Sequence, residues 1–265
     1  YLKSNHRRKV ERITKAFNFA NQAHAGVKRR SGEPYIMHPI AVARIVCREM
    51  GLGSTSICSA LLHDVVEDTE YTVEDIRDMF GDKIAQIVDG LTKISGGIFG
   101  EQASAQAENF RKLLLTMSDD IRVILIKIAD RLHNMRTLEF MTEAKQKEKA
   151  RETMDIYAPI AQRLGISKIK IELDDLSLRF LKPDVYYDLV EKVNLRKDSR
   201  DEFVQEIVTE VQNHMKEAGI EATVYGRVKH YFSIYKKMIN QNKTLEQIYD
   251  LFAVRIMVDL SLIHI

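Results

Sequence analysis

The sequence predicts a mainly α-helical protein that ends in a smaller, partial α/β unit. Up to Pro183, apolar residues recur at three- and four-residue steps, which is the period of a helix with one buried face. Only 4 prolines and 12 glycines interrupt the 265 residues, which leaves room for long helices. Near the carboxyl end, two β-prone runs flank one helical segment, and this order is typical of an α/β unit.

The first helices are predicted from local patterns. The apolar face of the first helix consists of Val10, Ile13, Phe17 and Ala20. A second helix follows Pro39, which can occupy the first helical position, and a third covers 57–65. Thr72 has the character of an N-cap, with Asp75 three residues later, so another helix is expected to start there.

Two later stretches are less regular. Residues 121–128 are almost continuously apolar, which suits a buried strand or a buried helix, and their continuation to Leu138 favours the helix. Residues 95–100 are glycine-rich and typical of a loop between helices. In the carboxyl-terminal part, strands are expected at 221–225 and 251–258, with a helix from Ser233 to about Ile239 between them.

Composition sets broad limits on function. With 45% hydrophobic and 29% charged residues, the chain resembles an ordinary globular protein. A net charge of +2 gives no reason to expect DNA or a membrane as a partner. There is neither a membrane-length apolar run nor a signal peptide, so a cytoplasmic location is expected. Cys47 and Cys58 are predicted to be buried free thiols.

A candidate metal site emerges from His38, the adjacent His63 and Asp64, and Asp130. Imidazole and carboxylate ligands suit Mn²⁺, Fe²⁺ or Zn²⁺ better than Ca²⁺, and the lack of thiolates argues against a structural zinc site. The alternative is a buried ion pair or a hydrogen-bonded core histidine. Because polar groups interrupt apolar helices at two separate places, we favour a metal.

Further polar residues fall at helical spacing from these ligands. Glu67 and Asp68 lie one turn after His63 and Asp64, where a spare carboxylate could serve as general base for a water molecule. Asp130, Asn134 and Thr137 are spaced i, i+4 and i+7, which places them on one helix face. That face is expected to lead from the metal to groups that bind a ligand.

Three strings around these residues resemble a known family. They are residues 29–39 (RRSGEPYIMHP), 61–69 (LLHDVVEDT) and 128–138 (IADRLHNMRTL). The H…HD…D pattern is similar to that of the HD phosphohydrolase superfamily. The three strings in this order resemble, over roughly residues 10–165, the hydrolase domain of the bacterial Rel/SpoT proteins, the bifunctional enzymes of (p)ppGpp metabolism in the stringent response.

The resemblance implies an HD-type helical fold and a set of roles. His38, His63, Asp64 and Asp130 would bind Mn²⁺, and Glu67 and Asp68 would position or activate the attacking water. Arg29, Arg30 and Ser31 would contact guanine, and Asn134 and Thr137 would hold the ribose and phosphate side. The reaction implied is hydrolysis of the 3′-pyrophosphate of (p)ppGpp to GDP or GTP and pyrophosphate. Arg30 departs from the lysine expected in many relatives, but both are cations.

A second resemblance lies towards the carboxyl end. Residues 225–238 and 249–256 are similar to the start of the Rel/SpoT synthetase domain, which is nucleotidyltransferase-like. By that match, four basic residues would face the phosphates or the base of ATP: Arg227, Lys229, Lys236 and Lys237. Asp250 would hold Mg²⁺ if the site were complete. The second metal carboxylate and the guanine-stacking tyrosine of that domain are missing from the chain, so we expect no (p)ppGpp synthesis.

The expected organisation is a hydrolase domain at 1–160, a helical connector at 161–197 and a synthetase fragment at 198–265. The expected ligands are ppGpp, pppGpp, GDP and GTP, and full-length relatives would contact the ribosome through regions outside this chain.

Two other functions stay open: hydrolysis of another 3′-phosphorylated nucleotide, or nucleotide sensing without turnover. The presence of both Glu67 and Asp68 argues against a sensor, which has no need of water-activating carboxylates.

Overall fold

The computed structural model describes residues 7–95, 120–195, 197–248 and 251–258, without the side chains of 94, 95, 195–202 and 228. The chain divides into two compact units, residues 1–173 and 174–265, and each is described by itself. The predicted division into three functional parts stays a prediction. None of the described helices is long and apolar enough to cross a membrane.

The first unit is helical, as predicted. Its elements before the gap are α1 (Arg7–Ala23), α2 (Met37–Arg48), α3 (Ser54–Leu62), α4 (Val65–Asp68), α5 (Val73–Phe80) and α6 (Asp82–Ser95). After the gap come α7 (Ile121–Arg136), a 3₁₀ turn (Leu138–Phe140), α8 (Glu143–Glu152), a π-helical turn (Thr153–Tyr157), α9 (Ala158–Arg163) and α10 (Ser167–Leu181).

The core of this unit lies where α2, α3, α6 and α7 pack together. Leu62, Ile84, Ile128 and Leu132 are fully buried there. The apolar run at 121–128 is therefore a buried helix, and the expectation of a helix rather than a strand is confirmed. The predicted loop at 95–100 falls outside the described residues, apart from Ser95 at the end of α6.

Helix starts follow local capping chemistry. Thr72 and Asp75 form the predicted cap at α5: the Asp75 amide donates to Thr72 Oγ1 at 3.2 Å, and the Thr72 amide donates to Asp75 Oδ2 at 2.7 Å. Asp120 caps α7 by accepting from the amide of Arg122 at 2.9 Å. The structure corrects one detail, because α2 begins two residues before Pro39. Pro39 still lies in the first turn, where its missing N–H has no helical acceptor.

The third predicted helix is interrupted at the site. It ends at Leu62, and α4 begins at Val65. His63 and Asp64 between them keep right-handed helical dihedrals, with φ and ψ of −61° and −33° for His63 and −98° and −7° for Asp64. The backbone N–H of Asp68 still donates to the Asp64 carbonyl at 2.8 Å.

The second unit contains the end of α10, α11 (Pro183–Leu195), α12 (Lys197–Glu217), β1 (Ala222–Val228), α13 (Tyr231–Gln241), a 3₁₀ turn (Leu245–Gln247) and β2 (Phe252–Val258). β1 and β2 pair antiparallel, with Ala222 opposite Val258 and Val228 opposite Phe252. Its apolar core is formed by Leu178, Leu189, Val193, Ile234, Leu245, Ile248 and Leu251. The expected strand–helix–strand order is confirmed.

Both cysteines belong to the first unit. They are free thiols, as predicted. Cys58 is fully buried, whereas Cys47 is only half-buried, so the expectation of burial holds for one of the two.

Candidate metal centre

The side chains of the predicted metal site converge inside the first unit. His38 comes from the first turn of α2, His63 and Asp64 from the break between α3 and α4, and Asp130 from the middle of α7. His38 Nε2 lies 3.2 Å from Asp130 Oδ1 and 3.5 Å from Asp64 Oδ2. His63 Nε2 lies 3.1 Å from Asp64 Oδ2 and 3.9 Å from Asp130 Oδ1. These distances bring residues from three separate elements to one point.

Hydrogen bonds on the far sides of the rings set the tautomers. His63 Nδ1 lies 2.8 Å from the Ala60 carbonyl, which can only accept, so Nδ1 carries the proton. Arg29 Nη1 can only donate to His133 Nδ1, at 3.1 Å, so that nitrogen is an acceptor. His38 Nδ1, 2.8 Å from the same atom, must then be the donor. In the neutral form of His38 and of His63, Nδ1 is thus the nitrogen that carries the proton, and Nε2 of each ring faces the carboxylates of the centre.

Asp130 is oriented by its neighbours on α7. Asn134 Nδ2 donates to its Oδ1 at 2.7 Å, and Lys127 Nζ lies 3.2 Å from its Oδ2. Burial would raise the pKa of Asp130, but Lys127 and the histidines outweigh that effect and hold the pKa well below its ordinary value. Asp130 is therefore an ionised ligand candidate with its oxygens held in place.

The residues present fit a divalent cation. His63 Nε2 is buried and has no hydrogen-bond partner among the described atoms, although Asp64 Oδ2 lies 3.1 Å away. Ligand atoms of His38, His63 and Asp130 lie within 4.8 Å of one another. A buried nitrogen without a partner is costly, and a cation held between this nitrogen and the carboxylates would remove the cost. Nitrogen and oxygen donors without thiolates match the metals favoured by the sequence.

The pKa values of His63 and His133 are shifted in opposite directions. Burial would lower the pKa of His63, but Asp64 and Asp130 outweigh burial and raise the pKa to about 9. Burial, reinforced by His38 and Arg29, lowers the pKa of His133 to about 3. His133 is therefore neutral, in agreement with its role as hydrogen-bond acceptor.

A cleft of about 300 Å³ opens beside Asp130. Glu67, Asn134 and Thr137 line it, so these predicted residues share one space with a metal-ligand candidate. Cations line it as well, namely Arg29, Lys127, Arg131 and Lys149. Such a cleft suits an anionic ligand that reaches the metal centre.

Other predicted site residues have fewer contacts with the metal-ligand candidates. Asp68 is exposed, and its Oδ2 lies 2.7 Å from the hydroxyl of Tyr35. Arg29 contacts His133 and Asn134, whereas in the described part of the chain no hydrogen bond or ion pair joins Arg30 or Ser31 to the cluster. The loop that carries all three is closed by a bond of 2.9 Å from the Arg29 amide to the Glu33 carbonyl.

Tyr35, Lys127 and His133 were missed by the sequence analysis, although each contacts a ligand candidate. A local signal exists for two of them. Lys127 and His133 lie three residues on either side of Asp130 on α7, and a three-residue offset places polar groups on one helix face. Tyr35 precedes the first residue of α2, so helical spacing does not relate it to His38.

The predicted synthetase residues lie in the second unit. Arg227 is on β1, Lys229 follows that strand, and Lys236 and Lys237 are on α13. Gly226 faces α12, where an added Cβ would collide with Val204, so its neighbour Arg227 points to the opposite face of the sheet. Asp250 falls outside the described residues.

Comparisons with known proteins agree with the two resemblances. The family described as HD domain matches residues 16–167, and the region found in RelA / SpoT proteins matches residues 226–262. The chain is 48% identical over 250 residues to a GTP pyrophosphokinase of Streptomyces coelicolor, covering 94% of this chain and 29% of that protein. It is 45% identical over 250 residues to the bifunctional (p)ppGpp synthase/hydrolase SpoT of Escherichia coli. That match covers 94% of this chain and 36% of that protein.

A solved structure was also found, described as a metazoan ortholog of SpoT that hydrolyzes ppGpp, with a TM-score of 0.49 and 24% identity, covering 63% of this chain and 94% of that chain. The chain spans about a third of the length of the curated relatives named above. The HD match covers more than half of the chain. The chain therefore belongs to the HD domain family, and it carries towards its carboxyl end the region found in RelA and SpoT proteins.

Proposed function

We propose that this chain is a (p)ppGpp 3′-pyrophosphohydrolase that releases GDP or GTP and pyrophosphate and depends on Mn²⁺. The observation that carries the proposal is the convergence of His38, His63, Asp64 and Asp130 beside a cleft lined by cations. The names of curated relatives support the substrate, since one from Escherichia coli O157:H7 is called guanosine-3′,5′-bis(diphosphate) 3′-pyrophosphohydrolase.

The residues of the cluster would hold the cation through His38 Nε2, His63 Nε2 and carboxylate oxygens of Asp64 and Asp130. A divalent cation supplies a lowered pKa for a water molecule and neutralises phosphoryl charge. Glu67 lines the cleft and is exposed, so it is free to accept the proton of the attacking water. Asp68, one residue further along α4, would orient that water.

The rest of the cleft would bind the nucleotide. Asn134 and Thr137 would hold the ribose and phosphate side, because they line the cleft one and two turns after Asp130. Arg29, Arg30 and Ser31 would contact the guanine base from their loop, where a guanidinium can stack on a purine. Positive charge at Lys127 and Arg131 would stabilise charge on the pyrophosphate.

The test is a turnover assay in which the purified chain is incubated with ppGpp and Mn²⁺ and released pyrophosphate is measured. We expect stoichiometric GDP and pyrophosphate, and loss of both in His63→Ala. His214→Ala, at an exposed histidine of the second unit, is the matched control and should keep full activity. Binding of ppGpp without pyrophosphate release would overturn the proposal in favour of a sensor.

Substrate choice needs a parallel comparison. Deoxynucleoside triphosphates, cyclic nucleotides and NADPH should turn over much more slowly than ppGpp if the guanine loop and the cleft are assigned correctly. Faster turnover of one of them would favour an HD-type hydrolase that acts on a different nucleotide. The expected lack of synthetase activity stays a prediction, and detection of ppGpp after incubation with ATP and GDP would contradict it. Cytoplasmic location, the absence of a DNA partner and ribosome contact by full-length relatives also stay predictions.

A further inference from the structure

Tyr35 contacts two acidic side chains of the site at once. Its hydroxyl oxygen lies 2.7 Å from Asp64 Oδ2 and 2.7 Å from Asp68 Oδ2. Asp64 Oδ2 is also the oxygen that faces Nε2 of His38 and of His63. A single hydroxyl therefore joins a metal-ligand candidate to the adjacent carboxylate that the proposed function assigns to water.

The ring of Tyr35 is fixed by its surroundings. It stacks on His24, with ring centroids 4.6 Å apart and an interplanar angle of 15°. His24 is 4% exposed and is itself held by a bond of 2.9 Å from Nδ1 to the Ala20 carbonyl. The backbone N–H of Tyr35 donates to the Val27 carbonyl at 3.0 Å, and its carbonyl accepts from the His38 amide at 2.9 Å. These contacts hold the Tyr35 hydroxyl in a fixed position relative to Asp64 and Asp68.

The hydroxyl has one proton for two acceptors. It donates to Asp64 or to Asp68 at any moment, and either bond screens the repulsion between two carboxylates that both lie within reach of one oxygen. A carboxylate oxygen can only accept, so the Tyr35 hydroxyl is the donor in whichever of the two bonds is formed. Hydrogen bonds of this kind orient ligating carboxylates and contribute to metal affinity.

We propose that Tyr35 is a positioning residue that couples Asp64, as metal ligand, to Asp68, as the group that orients water. The proposal rests on the proposed function for its catalytic half. Its other claim, that Tyr35 supports metal binding through Asp64, concerns only the geometry around Asp64. The Kd for Mn²⁺, measured without substrate, tests this claim.

The first test is Tyr35→Phe, which removes the hydroxyl and keeps the ring that stacks on His24. We expect the Kd for Mn²⁺, measured by calorimetry on metal-free protein, to rise about tenfold. At saturating Mn²⁺, kcat for ppGpp should fall about tenfold while KM changes less than about twofold. Tyr71→Phe is the matched control, since Tyr71 packs on Phe19 at 4.7 Å in the same unit, and it should change neither value.

The second test separates coupling from simple damage. In an Asp68→Asn background, Tyr35→Phe should cost little further kcat, because the hydroxyl would act through a carboxylate that is already gone. Additive losses in the double variant would overturn the coupling. An unchanged Kd for Mn²⁺ in Tyr35→Phe, or a kcat that returns to the wild-type value at saturating Mn²⁺, would also overturn it.

Failure of the proposed function gives a different result. If the wild-type chain releases no pyrophosphate from ppGpp, the hydrolase proposal falls, and the Kd for Mn²⁺ still tests the link between Tyr35 and Asp64. A melting temperature of Tyr35→Phe close to that of the wild type, measured without metal, shows that the variant is folded. If it is not folded, Asp68→Asn alone tests the coupling from the other side, and a kcat equal to that of the wild type would overturn it.

Discussion

The guanidinium of Arg29 donates a hydrogen bond of 3.1 Å to Oδ1 of Asn134. Asn134 in turn donates to Asp130, and another nitrogen of Arg29 contacts His133, the acceptor for His38. A residue of the loop that is expected to bind guanine therefore supports two of the metal-ligand candidates. The candidate metal centre and the residues proposed to contact substrate therefore share one set of hydrogen bonds.

Arg29→Ala should therefore weaken metal binding as well as substrate binding. We expect the Kd for Mn²⁺, measured without substrate, to rise about tenfold, because two neighbours of ligand candidates lose their support. Arg30→Ala is the control, since Arg30 is exposed and its assigned role concerns substrate alone. It should raise KM and leave the Kd for Mn²⁺ unchanged. Equal metal affinity in both variants would show that the Arg29 bonds do not support the metal.

Glu67→Gln should separate metal binding from chemistry. Glu67 lines the cleft and lies outside the cluster of His38, His63, Asp64 and Asp130. We expect an unchanged Kd for Mn²⁺ and a kcat lowered by about 10²-fold or more, the usual effect of losing a general base. His63→Ala should instead lose the metal. A kcat near that of the wild type in Glu67→Gln would mean that another group accepts the proton.

A buried ion pair beside the cleft should be costly to break. Arg131 and Glu152 are each 8% exposed and meet at 2.7 and 3.2 Å, with the guanidinium 4.3 Å from the Tyr157 ring. Arg131→Met should lower the free energy of unfolding by about 3 kcal/mol, because Glu152 stays buried with Lys149 beside it at 3.1 Å but without the guanidinium. Urea unfolding measures this. Adding Glu152→Leu should restore most of the loss, and a double variant that shows the sum of two large losses would contradict the explanation.

The cap of α7 predicts a pH dependence of stability. Hydrogen bonds from Arg122, and a weaker one from Lys83, hold the pKa of Asp120 well below its ordinary value although burial opposes them. Since the unfolded-state pKa is about 3.9, the stabilisation is complete above that pH and is lost as the pH falls towards the lower folded-state value. Asp120→Asn keeps an N-cap acceptor but removes the charge.

We expect Asp120→Asn to lower the free energy of unfolding by about 1 kcal/mol at pH 7, with a difference that shrinks as the pH falls below about 4. Urea unfolding at pH 7 and pH 3 measures both values. Asp120→Ala also loses the cap, so part of its destabilisation should persist at pH 3. A difference between wild type and Asp120→Asn that does not vary with pH would rule out the charge as its source.

Close packing of β1 on α12 predicts that Gly226→Ala destabilises the second unit. A Cβ at position 226 would collide with the side chain of Val204. Such overpacking usually costs about 1–3 kcal/mol, which chemical denaturation can measure. Val204→Ala should relieve the collision, so the double variant should be more stable than Gly226→Ala alone. If Val204→Ala does not restore stability, the destabilisation by Gly226→Ala arises within β1 and not from the collision with Val204.

Local patterns in the sequence were enough to predict the first helices and α7 and to name His38, His63, Asp64 and Asp130 as candidate ligands. Periodic apolar residues show a helix because neighbours along α7 share a face at a fixed spacing, so Asp130, Asn134 and Thr137 could be placed together. Polar groups within apolar helices signalled a buried site because burial without a partner is costly. Both arguments depend on residues that are close along the chain.

Contacts between side chains that are distant along the chain depend on how the helices pack. Tyr35 and Asp64 are 29 positions apart, and Arg29 and His133 are 104 positions apart, so no local period connects them. Their contacts follow from how α2, α3 and α7 pack, and packing also placed the break at His63 and Asp64 against Asp130. Hydrogen bonds have a range of about 3 Å, and spacing along a sequence cannot specify a distance of that size between separate helices.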